Sequence, residues 1–160
     1  MRVLIAVIGK LKDGAERELY ARYADRLAAL SRQAALGPIE LIEMPESRAG
    51  SASERLADEA ARLLKAVSKA EVIVCLDENG QNYTSPAFAA LLRKTSDQGR
   101  SGIAFLIGGA DGQGTDVLQK SHIKLSLGTM TLPHGLARVV LAEQLYRAAT
   151  IITGHPYHRA

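Results

Sequence analysis

The chain has 160 residues, enough for one domain with a substantial core and short for two. Hydrophobic residues make up 47% and charged residues 23%, proportions that exclude a disordered or fibrous chain. The formal charge of +3 and pI near 9.1 are compatible with a nucleic-acid partner without requiring one, and no apolar run approaches the ~18 residues of a membrane span.

The chain opens on Val3 to Ile8, a continuous β-branched and aliphatic run of the kind buried on both faces of a parallel sheet, ended by Gly9. No small-residue cleavage site follows it, so it reads as a first strand and not a signal peptide, and a cytoplasmic protein without a membrane partner is expected. Ala15 to Leu30 places Leu19, Tyr23, Leu27 and Leu30 on one side of an amphipathic helix, with Arg17, Arg22 and Arg26 on the other. Ile39 to Met44 is a second strand, closed by Pro45. Ser51 or Ser53, with Glu54 nearby, is placed to cap a helix running to Val67. Val72 to Leu76 is the third strand. It contains the single cysteine, Cys75, which excludes an internal disulfide framework and reads as packing. Asp77 to Gly80 is a turn cluster, and Thr84-Ser85-Pro86 starts the next helix. The fourth strand, Ile103 to Ile107, runs straight into Gly108-Gly109-Ala110-Asp111-Gly112-Gln113-Gly114. A short helix over Asp116 to Lys120 and a fifth strand over Ile123 to Leu127 follow.

The last stretch is the densest in chemistry. Leu127 to Leu132 is a short apolar and hydroxyl run that turns at Pro133-His134-Gly135 into a long helical pattern. There Leu141, Leu145, Ala148 and Ile152 share one apolar stripe, and Arg138, Glu143 and Arg147 fall on the opposite side. Glu143 precedes Arg147 by one helical turn, the favourable orientation for an ion pair. Gly154 stops the helix, and His155 to Arg159 form a polar aromatic tail. Strands alternating with helices imply an α/β fold, a parallel-type sheet with helices on both faces. Ligands bind such sheets beyond the carboxyl ends of the strands, so the loops after Leu76, after Ile107 and over Leu127 to Leu132 are the candidate pocket.

Familiar chemistries do not fit these loops. Gly109 to Thr115 lacks the lysine of a phosphate-binding P-loop, and the glycines follow the fourth strand, not the first as a dinucleotide fingerprint would. There is no Gly-x-Ser-x-Gly elbow and no HExxH. Only His155 and His158 have metal-ligand spacing, in a tail, and no metal is expected. His122 reads as structural or exposed.

LIGGADG after the fourth strand, LSLGTMTLPHGLARVVLAEQLYRA and the closing HPYHR resemble the ribosomal RNA large subunit methyltransferase H family, small members of the SPOUT superfamily. The resemblance spans the chain, including Val3 to Gly9 and Ile39 to Pro45. Two departures are Ala110-Asp111 where many members have Pro-Glu, and Ala160 where many end in Glu. The resemblance implies one SPOUT methyltransferase domain over residues 1–160 whose C-terminal segment threads a loop into a trefoil knot. It implies a homodimer that transfers a methyl group from S-adenosylmethionine to N3 of a pseudouridine in 23S ribosomal RNA, within the assembled ribosome.

On that resemblance, Leu127, Gly128, Thr129, Met130, Thr131 and Leu132 wrap the donor, with Leu76 and Gly108 completing the pocket. His158, Arg159, Tyr157, Arg147, Glu143 and His134 are then the catalytic candidates on the RNA side, joined by His155 and Arg138. A histidine near its reference pKa of ~6.5 suits removal of the N3 imide proton, which makes His158 the candidate base. Val139, Leu141 and Ile152 are candidates for the dimer interface. The competing reading is a non-catalytic ribosome-binding factor that retains the fold and uses its basic surface.

Overall fold

A computed structural model describes residues 1–159; Ala160, where the chain departs from the family's terminal Glu, lies outside the described residues. The elements in chain order are β1 (Arg2–Ile8), α1 (Ala15–Ala34), β2 (Ile39–Met44), α2 (Ala52–Ala66), β3 (Val72–Asn82), α3 (Ser85–Asp97), β4 (Gly102–Ile107), α4 (Thr115–Lys120), β5 (Ile123–Ser126) and α5 (His134–Thr153). All five strands join one sheet in the order β2-β1-β4-β3-β5, and every pairing is parallel. Val3 sits between Ile39 and Ile103 in this register.

The apolar runs of β1 and β4 are explained by burial on both faces. Successive side chains point to opposite sides, so Val3, Ile5, Val7, Ile103, Phe105 and Ile107 pack with α1, α3 and α5. Leu4, Ala6, Ile8, Ala104 and Leu106 pack with α2 and α4 on the other side, together with Cys75. The Cys75 thiol is buried, and desolvation pushes its pKa up, away from reactive thiolate character.

Local chemistry fixes the helix starts. Ser51 is the N-cap of α2 and forms a capping box with Glu54; Ser53 lies inside the helix. The Thr84 side chain accepts from the Ala87 N–H at the start of α3. His122 is exposed, but its Nδ1 accepts from the Ile73 N–H at 3.1 Å, a structural role.

Several boundaries differ from the expectation. α1 continues past Leu30 to Ala34, because Ala34 still buries itself in the core and the chain turns only at Ala35, in the left-handed region. The Asp77 to Gly80 cluster does not end β3. Leu125 of β5 faces both Leu76 and Gln81, so these four residues leave the ladder as an excursion and pairing then resumes. His134 is the first residue of α5 and Pro133 its N-cap, so the turn ends two residues earlier than the sequence indicates.

The largest correction concerns α5. It lies between α1 and α3 and is largely buried, and along its first turns the exposed side chain is Leu136 and not a charged one. Leu141, Leu145 and Ala148 are buried as the stripe implies, but Arg138 is fully buried too. Val139 and Leu141 belong to the chain's own core and are covered by it, which removes them as interface candidates; Ile152 is half-buried.

Leu106→Ala in the central strand is expected to cost about 2–5 kcal/mol, whereas Ser51→Ala should cost only about 1 kcal/mol through the lost cap. Urea denaturation of the two variants checks this ordering; equal losses would contradict the assignment of the core.

Candidate active site

The three loops converge. Beyond the carboxyl ends of β3, β4 and β5 they enclose a cavity of about 590 Å³, closed on a fourth side by the first turn of α5. Leu76, Gly108, Leu127, Gly128, Met130, Thr131 and Leu132 all line it; Thr129, exposed, does not. His134, expected on the RNA side, stands in the wall with Ala137.

Each wall has a local cause. Gln113 reaches back from the glycine loop, and its amide donates to the Leu76 carbonyl at 3.2 Å and the Leu106 carbonyl at 2.9 Å, tying the ends of β3 and β4 together. Gly108 has no room for a side chain, since a Cβ would lie 2.7 Å from the Gly112 carbonyl carbon. Asp111 is held outward by the Arg55 guanidinium at 2.7 Å, and that hydrogen bond keeps its carboxyl below the usual range. After β5, the Ser126 hydroxyl donates to the Gly128 carbonyl at 2.9 Å and accepts from the Gly128 N–H, which folds the run Leu127 to Leu132 over the cavity.

The electrostatics of this wall were not legible as a motif. Asp77 and Glu78 bring two carboxylates to it, Asp111 being paired with Arg55, and among the described residues no lysine or arginine lines the cavity. Such a wall repels phosphates and favours a cation.

The tail forms a second cluster on α5. Tyr157 packs its ring 4.7 Å from that of Tyr146, tilted by 52°, and 4.9 Å from the Arg147 guanidinium, and its hydroxyl donates to Glu143 Oε1 at 3.1 Å. Burial, with Tyr23 and Glu143 beside it, raises the Tyr157 pKa, so the phenol remains a donor. Arg147 Nε donates to the same Glu143 oxygen at 2.9 Å, the ion pair expected from their spacing. His158 Nδ1 lies 3.5 Å from Arg147 Nη1, while His155 and Arg159 are exposed.

The structure therefore gathers the catalytic candidates into two places. Glu143 is nine residues beyond His134 on the same helix, a rise of about 14 Å, and Arg147 is about 20 Å along. Arg138 joins neither group, being buried beside Glu43 of β2, a partner no local pattern reveals. Among the described residues, no group of three or more His, Cys, Asp or Glu is placed to hold a metal ion, and no helix is long and apolar enough to cross a membrane.

With this geometry in place, comparison with known proteins decides the lineage: the family model described as "Predicted SPOUT methyltransferase" matches residues 1–158. The chain belongs to the SPOUT methyltransferase family. Within it, the chain is 47% identical over its whole length to the "Ribosomal RNA large subunit methyltransferase H" of Xanthobacter autotrophicus (strain ATCC BAA-1158 / Py2), and the match covers all of that protein. It is 48% identical, again with 100% of both chains covered, to the protein of that name from Rhodopseudomonas palustris (strain TIE-1). These matches place it among the ribosomal RNA large subunit methyltransferase H proteins. A probable methyltransferase from Bordetella pertussis Tohama I shares the SPOUT fold at 14% identity, with a TM-score of 0.54 over 92% of this chain and 96% of that one. A putative RNA methyltransferase from Bacillus anthracis does so at 13% identity, with a TM-score of 0.52 over 99% and 98%.

Gly108→Ala is expected to cost this SPOUT chain about 1–3 kcal/mol, because the new methyl must push the Gly112 backbone out of the loop. Thermal unfolding measures it, and an unchanged midpoint would mean that the loop yields freely.

Proposed function

We propose that the chain transfers a methyl group from S-adenosylmethionine to N3 of a pseudouridine in 23S ribosomal RNA of the assembled ribosome, acting in the cytoplasm as a homodimer. The observation that carries this reading is a cavity lined by carboxylates and small or apolar residues, at the strand ends of a SPOUT methyltransferase. Its fit to the donor is chemical. Leu76, Leu125, Leu127 and Met130 offer apolar contact for an adenine and a thioalkyl chain, and Gly108 and Gly128 let backbone approach closely. Asp77 and Glu78 suit a ligand whose sulfonium and ammonium leave it net positive. The donor, when bound, supplies an activated methyl group, so no metal enters the reaction. In this reading Leu127 to Leu132 belong to the trefoil knot of the family.

What remains for the protein is to hold the acceptor and accept its N3 proton. His158 is the proposed base, with Arg147 beside it and Glu143 keeping both Arg147 and Tyr157 in place. Arg159 is free to meet phosphate or a carbonyl oxygen, and Tyr157 offers a ring for stacking. His134 acts from the donor side.

The separation along α5 supports a site bordered by two subunits, with the tail cluster of one facing the cavity of the other. Met130, Leu132 and Leu136 are apolar and exposed beside the cavity, and we assign them to that dimer surface in place of Val139 and Leu141. Light scattering should then give twice 17.1 kDa at micromolar concentration; the monomer mass would defeat the assembly.

Calorimetry should detect S-adenosylmethionine binding below millimolar concentration, and a silent titration would count against the enzyme and favour a ribosome-binding factor. Stopping the chain after Gly154 should leave donor affinity intact and lower methyl transfer by at least ~100-fold, the scale of lost acid–base catalysis. Near-normal turnover would reduce the tail to a latch.

A further inference from the structure

Arg138 is a charged side chain with no solvent exposure, and desolvating an ion costs several kcal/mol unless its partners compensate. Those partners are specific. Nη1 donates to Glu43 Oε1 at 2.6 Å and Nη2 to the Gly9 carbonyl at 3.0 Å. Glu43 in turn accepts from the Leu11 N–H at 2.8 Å and pairs with Arg17 at 3.4 Å, and Arg17 also donates to the Leu11 carbonyl. The hydroxyl of Tyr20 is buried beside these charges without a partner. The end of β1, the start of α1, the end of β2 and the first turn of α5 thus meet at one ion pair.

β1 and β2 are already joined by their own ladder, from Val3–Ile39 to Ile8–Met44. What the ion pair adds is the tie to α5. Its place is significant because His134 and Ala137, one turn before and one residue before Arg138, stand in the cavity wall. Gly9, with φ of +99°, carries the His134 ring directly against it; a Cβ there would lie 2.9 Å from Nε2. Apolar side chains of similar volume often stabilise such segments as well as a buried arginine paired with a half-buried carboxylate, so stability alone does not account for the arrangement.

We propose that Arg138 is a positioning residue which, with Glu43, fixes the first turn of α5 so that His134 and Ala137 hold the wall of the pocket. The functional consequence rests on the donor reading given above. Arg138→Lys keeps the charge but cannot reach both Glu43 and Gly9 as the guanidinium does. In the full-length chain it should raise the dissociation constant for S-adenosylmethionine by at least about tenfold, while kcat at saturating donor falls far less. The Glu43→Gln/Arg138→Met double variant removes both charges together. It should regain thermal stability relative to Arg138→Lys yet still bind donor weakly. Gly9→Ala, which crowds the His134 ring and strains the backbone that presents its carbonyl to Arg138, while keeping the Arg138 and Glu43 side chains, should reproduce the loss.

Donor affinity within about twofold of wild type in a folded Arg138→Lys or double variant would overturn the proposal. If neither folds, Gly9→Ala binding donor within that margin overturns it. The imidazole signal of His134 in ¹³C-histidine-labelled protein, assigned with His134→Gln, is read without any ligand. It should shift in Arg138→Lys and in Gly9→Ala, and an unmoved signal overturns the positioning role. A wild-type chain that fails to bind donor defeats the donor reading instead.

Discussion

Parallel pairing sends the carboxyl ends of all five strands to one edge of the sheet, and everything chemical in this chain depends on that direction. Each return must then be made by a crossover, which coats the sheet with helices and dries both of its faces. The loops left over at the carboxyl edge leave irregular backbone close to the sheet's centre. β4 and β3 are neighbours there, and Gln113 bonds across their ends, so the cavity is anchored to the middle of the sheet.

Charge then divides the labour. Carboxylates around the cavity and an Arg–His–Tyr cluster, in which Glu143 compensates Arg147, at the far end of α5 are different environments on one small chain. On the proposed function, a cationic donor and a polyanionic acceptor would be drawn to different addresses.

How much of this was legible in the residues depends on the range of the interactions. The continuous runs of β1 and β4 announce strands buried on both faces, and the glycines of the loop after Ile107 announce a close backbone approach; both are local signals. The pocket follows from them, and seven of the donor residues expected there line it. Arg138 was misplaced because periodicity sets it opposite the leucine stripe, and only the neighbouring helices decide which side of α5 meets water. Its partner Glu43 is 95 positions away in the chain, beyond the reach of any spacing rule. Asp77 to Gly80 carried a true departure from the ladder, but the return of pairing at Gln81 is set by β5, which follows much later.

α5 touches the cavity with His134 and Ala137, and holds the tail with Glu143 and Arg147. It therefore behaves as a ruler with two marks. Inserting or deleting one residue between the marks would turn one relative to the other by about 100° and shift it by about 1.5 Å. Surface loops that line no cavity tolerate changes of length, since they only have to reconnect. This interval has no such freedom: its length fixes where the tail cluster sits relative to the cavity.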